Sequence, residues 1–330
     1  MKNYGRSGDP NRVRSALTVP VIISALAALA VLGALFPADL AAQASVGPNL
    51  RTVPAELTAI YDSQAGVLLT DSVVVRGREI DYGIGFSAGG SGNYDIRTLT
   101  GPGGATLQYQ LTDPLADGRV VKDLDAPAGA GTLIYGSIRG GGNSPREETH
   151  PFALISAPGQ YVPAGDYTDT VTVSAYNGNP GEGAPVQEAP MLVRLTVPAI
   201  VGISVVSRGE PFDMTFANPF PLSFGVLEQG RNEEVDVVVQ TNVNYSLTVN
   251  SPNSGVMVLR DAAGDNSVVP YTMRVNGSLE NLGAGSVEIA TGSATNVGGD
   301  RYNLFFEIGN TLDATSGTYE DNLTVTVTAQ

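Results

Sequence analysis

Apolar side chains recur at every second position in most apolar segments beyond residue 60, with Thr, Asn, Asp or Glu between many of them. The runs from Ile80 to Phe86 and from Val269 to Val275 show the pattern clearly. A period of two places one row of side chains inward and the other toward solvent, which is typical of a β-strand and not of a helix. Dipeptides such as Asn177-Gly178 and Asn276-Gly277 tolerate the positive φ angles of hairpin turns. The pattern therefore predicts an all-β protein of short strands, most simply two packed sheets.

One segment of the chain is repeated. The run from Gly165 to Val173 reads GDYTDTVTV, and the run from Gly317 to Val325 reads GTYEDNLTV. A weaker echo relates the segment 107–109 (LQY) to the segment 269–271 (VPY) in the same order. A unit used twice predicts two tandem antiparallel β-sandwich domains, at residues 45–198 and 199–330.

The first 44 residues have the character of a secretory leader. A basic segment, 2–14, precedes an uncharged run from Ser15 to Phe36, and small residues come before a cleavage point between Ala44 and Ser45. This order is typical of a cleaved signal peptide, so we predict that residues 1–44 are removed and that the protein is exported. A retained membrane anchor is the alternative, because the uncharged run is long enough to span a bilayer.

Composition and charge narrow the possible functions. The chain has 330 residues, a formal net charge of −15, no cysteine and one histidine. These numbers exclude disulfides and thiol nucleophiles and argue against His-rich metal sites. The negative charge disfavours nucleic acid as a partner. Glycine and proline are abundant, as expected of a chain with many turns.

Some segments contain residue types that occur in catalytic or metal-binding sites. Residues 85–89 (GFSAG) match the G-x-S-x-G motif around Ser87, with His150 as the one available base, but a glycine-rich run follows where that motif needs a helix. Glu147, Glu148 and His150 lie close together in the sequence, and we interpret all three as part of a solvated loop and not as a metal site. We predict no catalytic residue, no metal, no cofactor and no enzymatic activity. Four aspartates with a calcium-like spacing are interpreted as turn formers: Asp123, Asp125, Asp261 and Asp265.

Several of these segments together resemble the spore coat protein U domain family, the pilin-type module of archaic chaperone-usher pili. The resemblance rests on residues 61–66 (YDSQAG), 80–89, 94–97 (YDIR), 107–113 (LQYQLTD), 135–138 (YGSI) and 165–173 (GDYTDTVTV). It implies an immunoglobulin-like sandwich that lacks its last strand. A periplasmic chaperone would cover the open edge, an outer-membrane usher would export the subunit, and an adjacent pilin subunit would insert a donor strand. The absence of cysteine departs from many members and excludes their redox-dependent maturation.

The two domains differ in the segment that comes after the closing strand. In the second domain nothing in the sequence follows it, so its row is the predicted edge for donor strand and chaperone: Leu323, Val325 and Val327. In the first domain a further alternating strand is expected to complete the sandwich from within the chain: Met191, Val193, Leu195 and Val197. The segment 45–60 is not expected to act as a donor strand, because Pro48 and Pro54 lack the backbone N–H that strand pairing uses.

A subunit that accepts a strand and donates none belongs at the end of a polymer. The sequence therefore predicts a non-enzymatic pilus tip subunit at the cell surface, with the first domain adhesive and the second joined to the shaft. The alternative that stays open is a secreted spore-coat or extracellular-matrix structural protein built from the same sandwich.

Overall fold

The structure is a computed structural model, and it describes residues 47–126, 132–140, 144–179, 182–260 and 266–330, with only the backbone of Glu182. The chain divides between Pro198 and Ala199 into two compact units, here called the first and the second unit. Both are built mainly of strands joined by turns and loops, with short 3₁₀ turns at Gly89–Ser91, Pro102–Gly104 and Leu282–Ala284. The all-β prediction is confirmed.

The first unit contains eleven described strands, which we number in chain order. They are β1 (Asn49–Thr52), β2 (Glu56–Ile60), β3 (Val67–Gly77), β4 (Ile80–Phe86), β5 (Arg97–Thr100), β6 (Thr106–Asp113), β7 (Arg119–Val120), β8 (Ile134–Ile138), β9 (Arg146–Ser156), β10 (Gly165–Asn177) and β11 (Glu182–Val197).

These strands form two layers around one core. The hydrogen-bonded order β1-β3-β9-β6 makes one layer, and β8-β4-β10-β11-β2 makes the other. Strand β5 pairs with both β6 and β10 and so connects the layers. Alternate residues point inward, as the period of two predicts. Across the layers, the Phe86 and Phe152 rings meet edge to face, with their centroids 5.0 Å apart.

The second unit contains ten described strands. They are β12 (Val201–Ser207), β13 (Asn232–Thr241), β14 (Tyr245–Asn250), β15 (Val256–Leu259), β16 (Val268–Val275), β17 (Ser278–Glu280), β18 (Ser286–Gly292), β19 (Asp300–Ile308), β20 (Tyr319–Glu320) and β21 (Thr324–Ala329). The predicted turn at Asn276-Gly277 joins β16 to β17, and both of its residues have positive φ angles, +47° and +88°.

This unit is also layered. One sheet has the order β12-β13-β19-β16-β15-β20, and a three-stranded sheet has the order β18-β14-β21. The buried side chains of the two sheets form a single core, with Val237 and Leu304 from the first sheet, and Leu247 and Val325 from the second. That core shares no residue with the core of the first unit.

Candidate functional site

The repeated segment occupies equivalent places in the two units. The Tyr167 hydroxyl donates a 2.7 Å hydrogen bond to the carbonyl of Pro163, four residues upstream, and the Tyr319 hydroxyl donates a 2.6 Å bond to the carbonyl of Thr315. Such a bond from a tyrosine to the backbone a few residues earlier is the tyrosine corner of immunoglobulin-like sandwiches. The sequence repeat is thus a structural repeat at the start of the closing strand.

The aspartate two residues later is buried in both units and is held by a second tyrosine. The Tyr109 hydroxyl donates to Asp169 at 2.6 Å, and the Tyr271 hydroxyl donates to Asp321 at 2.6 Å. Burial together with the adjacent carboxylate raises the pKa of Tyr109 and of Tyr271 above its ordinary value. Tyr109 and Tyr271 belong to the weakly similar segments 107–109 and 269–271. The similarity of these segments therefore also corresponds to matching contacts.

In the first unit, the closing strand β10 is paired along both edges. On one side it pairs with β4 and β5, and on the other with β11 from Gly165↔Val197 to Asn177↔Glu182. Strand β11 pairs in parallel with β2 on its far side. The four residues expected to complete the sandwich lie in β11, and all are buried: Met191, Val193, Leu195 and Val197. The strand begins at Glu182, nine residues before Met191, where the alternating pattern of the sequence placed its start.

In the second unit, the equivalent strand β21 is paired along one edge only. It pairs antiparallel with β14 from Tyr245↔Ala329 to Asn250↔Thr324, and no described strand pairs with its other edge. The next pair along, Asn244 and Gln330, is joined by a 2.8 Å bond from the Gln330 amide. Since bonded and non-bonded pairs alternate in an antiparallel ladder, the backbone groups of Val325, Val327 and Ala329 point away from β14, toward the free edge.

The register of the first unit agrees with this assignment. There the Ser87 amide donates to the Thr172 carbonyl, so the backbone groups of Val171 and Val173 face β11. These two residues are the repeat equivalents of Leu323 and Val325. Pro190 of β11 lies opposite Thr172, at a pair whose backbone groups do not face each other, and its missing N–H therefore costs this pairing nothing.

The free edge coincides with a break in the closing strand. Strand β10 is continuous from Gly165 to Asn177, whereas its counterpart is divided into β20 and β21, and residues 321–323 have no strand pairing. Asp321 at the break accepts hydrogen bonds from Ser251, Asn253 and Tyr271, which hold it in place without a neighbouring strand.

The apolar row of the edge is buried and not open to solvent. Leu323, Val325 and Val327 are 4%, 0% and 3% exposed. The resemblance implied an open apolar row, and that expectation needs correction: backbone groups are free at this edge, while the side chains already pack in the core. Leu323 also precedes the strand, which starts at Thr324.

A long connection lies beside the other edge strand of the second unit. Strand β12 pairs with β13 only, and it approaches β21 to within 8 Å between Cα atoms without hydrogen bonding to it. The connection of residues 208–231 packs several aromatic and aliphatic side chains against the core, namely Phe216, Phe220, Leu222, Phe224 and Leu227. Phe212, Phe216 and Phe220 line a pocket together with Val205 and Val206 of β12. The strand pattern gave no signal for this covering.

Ser87 and His150, the residues of the candidate G-x-S-x-G site, form their hydrogen bonds with other residues and not with each other. His150 lies in β9 and is buried, so its placement in a solvated loop was wrong. Its Nε2 is 2.7 Å from the Tyr82 hydroxyl, which also bonds Glu148, and burial lowers the His150 pKa. Ser87 instead accepts hydrogen bonds from the amides of Thr172 and Gly89.

The remaining acidic candidates divide between described and undescribed residues. Asp123 accepts a hydrogen bond from the Asp125 amide, as expected of a turn former, and also one from the Tyr94 hydroxyl. Asp261 and Asp265 lie outside the described residues, as does the predicted leader with its Ala44–Ser45 cleavage point. Within the described ranges, no group of three or more His, Cys, Asp or Glu is arranged to hold a metal ion. No helix among them could cross a bilayer.

Comparison with known families identifies part of the first unit. The fold is that of an all-β protein with two sandwich units, and residues 61–174 match the model of the Spore Coat Protein U domain. The chain therefore carries this domain within its first unit, and the resemblance found in the sequence is confirmed for that segment. The match ends inside β10, so that β11, which covers β10, lies beyond it.

Comparison of whole structures gives several distant similarities. A chaperone–tip adhesion subunit complex, CsuC–CsuE of Acinetobacter baumannii Csu pili, has 13% identity and a TM-score of 0.37, over 83% of this chain and 97% of that chain. The CupB6 tip adhesin of Pseudomonas aeruginosa has 10% identity and a TM-score of 0.33, over 86% and 96%. The adhesive subunit CfaE of enterotoxigenic Escherichia coli has 8% identity and a TM-score of 0.34, over 84% and 99%. No curated protein matches the sequence. Similarities with TM-scores this low assign no function.

Proposed function

We propose that this protein is a non-enzymatic, exported pilus subunit whose second unit is completed by a strand from an adjacent pilin subunit. The observation that carries the proposal is the difference between the two closing strands. Strand β10 is covered by β11 of the same chain, whereas the equivalent edge of β21 has no strand beside it among the described residues. An edge whose amides and carbonyls are free is a template for strand addition.

The first unit is complete without a donor. Strand β11 supplies the covering strand, and β1 and β2, formed by residues 49–60, pair with β3 and β11 of the same unit. A segment that is paired within its own unit is not available as a donor strand. We therefore place the subunit at the tip of the pilus, with the first unit as the adhesive end, a periplasmic chaperone covering β21 before assembly, and an outer-membrane usher exporting it.

The test is to supply a strand to β21 of the full chain. A copy of residues 182–197, the whole of β11, is fused after Gln330 through a flexible linker, because β11 covers β10, the repeat equivalent of β20 and β21, in the first unit. We expect the amides of Val325 and Val327 to become strongly protected from hydrogen exchange, since each gains a partner. The second unit should also unfold at a higher denaturant concentration.

The control carries serine at the copied Met191, Val193 and Leu195 positions. These are the inward side chains of β11, and each is worth about 1.5 to 3 kcal/mol when fully buried. If the serine version protects Val325 and Val327 equally well, or if neither version does, strand acceptance by β21 is refuted.

One observation favours the alternative of a spore-coat or matrix structural protein. Leu323, Val325 and Val327 are buried without any added strand, as in a unit that is stable by itself. Under this alternative, the amides of Val325 and Val327 exchange equally in the fused and unfused chains. The same experiment therefore separates the two functions.

A further inference from the structure

The second unit has a pocket at the end of its edge strand β12. It is lined by Val205, Val206 and Ser207 of the strand, and by residues 210–213, 216, 217 and 220 of the connection that follows. Its volume is about 390 Å³, which is within the range of sites that hold small molecules. All of these lining residues belong to the second unit, so the pocket is a property of that unit alone.

Three phenylalanine side chains supply most of the apolar surface of the pocket. They are Phe212, Phe216 and Phe220, and each of them is only partly buried. Phe216 and Phe220 pack against the core of the second unit, whereas Phe212 lies against Gly202 of β12. A methyl group at Gly202 would come within 3.0 Å of the Phe212 ring, so this close approach needs a residue without a side chain. The three rings are therefore held in place by packing within the unit.

Two exposed acidic residues, Glu210 and Asp213, also line the pocket. Asp213 is fixed in place, because its amide donates to Ser204 Oγ at 3.3 Å and its Oδ1 accepts from the amide and the hydroxyl of Thr215, each at 2.7 Å. The hydrogen bonds from Thr215 lower the pKa of Asp213, so its carboxylate is ionised at neutral pH. Glu210 forms no ion pair with any cation of the described residues.

The positive charges near the pocket are compensated by other carboxylates. None of the lining residues is basic. Arg208 forms an ion pair with Glu234, and Arg301 forms one with Asp236 at 2.6 Å while donating to the Glu210 carbonyl at 2.6 Å. Residues 199–330 contain five arginines against fifteen Asp and Glu residues, a formal charge of −10. The pocket therefore combines aromatic side chains with uncompensated negative charge.

We infer that this pocket binds a small organic cation of the quaternary ammonium class, such as choline. The faces of aromatic rings attract a cation, and the methyl groups of a quaternary ammonium contact apolar surface without needing hydrogen-bond acceptors. Glu210 and Asp213 add attraction for the positive charge and repel a phosphate group attached to it. The ligand is therefore the free cation and not a phospholipid headgroup. This inference goes beyond the proposed function and does not depend on it.

The test measures the binding of choline chloride to the full chain by isothermal titration calorimetry at constant ionic strength. We expect a dissociation constant on the order of 1 mM. The variant Phe212→Leu keeps an apolar side chain but removes an aromatic face, and it should bind choline about fivefold more weakly. The variant E210Q/D213N keeps the size of both side chains and removes their charges, and it should bind about tenfold more weakly.

Two control variants carry the same kinds of change outside the pocket. Phe305→Leu replaces a partly buried phenylalanine of β19, and E288Q/D313N removes two exposed carboxylates of the same unit. Both should bind choline as the native protein does. The urea midpoint of the second unit, measured for every variant, separates a loss of binding from a loss of folding. Because Glu210 and Asp213 are exposed, their variant decides the test if Phe212→Leu destabilises the unit.

Three results would overturn the inference. They are the absence of choline binding up to about 20 mM, equal losses in the pocket variants and their controls, and binding of phosphocholine or of phosphatidylcholine vesicles that is as tight as the binding of choline. Ethanolamine, whose ammonium group is strongly hydrated, should bind more weakly than choline. Because these measurements do not involve β21, their failure leaves strand acceptance by the second unit untouched, and failure of the strand-fusion test leaves cation binding untouched.

Discussion

At the residue scale, the two units are most alike at buried polar contacts. Each closing strand carries a tyrosine corner and, two residues later, a buried aspartate bonded to a tyrosine of another strand. A buried carboxylate is tolerated only when hydrogen bonds replace its hydration. Asp321 meets that requirement with Ser251, Asn253, Tyr271 and the Asn322 amide.

The substitution Asp321→Asn should destabilise the second unit. An amide places two donors where a carboxylate accepts from several donors, so at least one of them loses its partner. We expect the free energy of unfolding of this unit to fall by about 1 to 3 kcal/mol. Urea titration followed by tyrosine fluorescence measures it, since the chain has no tryptophan. The matched control is Asp313→Asn, at an exposed position, which should change little. An equal effect of the two substitutions would show that the buried contacts of Asp321 are not stabilising.

His150 should make the first unit sensitive to mild acid. Burial lowers its pKa below the ordinary value of about 6.5, so the folded state holds it neutral while the unfolded chain takes up a proton. The contribution is therefore complete above about pH 6.5 and is lost as the pH falls from there toward the lowered folded-state pKa. His150 is the one histidine of the chain, so this window contains no other side chain with an ordinary pKa.

The measurement compares urea midpoints of the first unit at about pH 7 and about pH 5.5. The midpoint should drop at the lower pH in the native chain, and should drop less in His150→Gln, whose side-chain amide can still donate a hydrogen bond to the Tyr82 hydroxyl, which itself donates to Glu148. A native midpoint that stays constant over this range would show that His150 is not held neutral. Equal drops in both proteins would assign the effect to carboxylates instead.

At the element scale, strand pairing decides what each closing strand can do. The β21 amides alternate between β14 and the free edge, and the Ala329 amide faces the free edge while the Thr328 amide faces β14. Proline at either position removes one donor. The two positions therefore separate acceptance of a strand from stability of the sheet.

The substitution Ala329→Pro should weaken acceptance of a donor strand while leaving the second unit folded. Its neighbour Thr328→Pro should break a bond to β14 and destabilise the unit before any donor is added. Urea midpoints of the unfused chains, followed by exchange protection of Val327 in the strand-fused chains, distinguish the two effects. If Ala329→Pro destabilises the unfused chain as much as Thr328→Pro, the assignment of the Ala329 amide to the free edge is wrong.

The sequence predicted which segments form strands better than it predicted where those strands begin and which residues they bury. Alternation identified strands such as β4 and β16, because inward side chains every second residue leave a visible period. It missed the early start of β11 at Glu182, where residues 182–188 lie in a hairpin with little apolar alternation. The burial of His150 was missed for a related reason, since a polar residue next to two glutamates looks solvated until the partner strands are known.

The candidate site was partly predictable. The repeat predicted equivalent closing strands, and the alternation from Met191 to Val197 predicted a further strand in the first unit. The covering of the second core by residues 208–231 was not predictable, because phenylalanines in an irregular connection follow neither the strand nor the helix period.

At the scale of the whole molecule, the chain combines two separate cores with two different closing strands. The core clusters share no residue, and each unit contains its own tyrosine corner. Units with separate cores unfold independently unless they share a large apolar interface. Completion of the second unit should therefore leave the stability of the first unit unchanged.

The full chain should accordingly unfold in two transitions, and an added strand should move only one of them. We expect the chain with a copy of residues 182–197 fused after Gln330 to retain the urea midpoint of the first unit, while the midpoint of the second unit rises. Hydrogen exchange assigns the transitions, with Val171 and Val173 reporting on the first unit and Val325 and Val327 on the second.

The variant Val193→Ser in native β11 tests the opposite case, because it removes a buried side chain from the first unit. It should lower the free energy of unfolding of the first unit by about 1 to 3 kcal/mol and leave the urea midpoint of the second unit unchanged. A single transition that shifts as a whole in both proteins would show that the two units unfold as one, and the second unit could then no longer be treated as an independent acceptor.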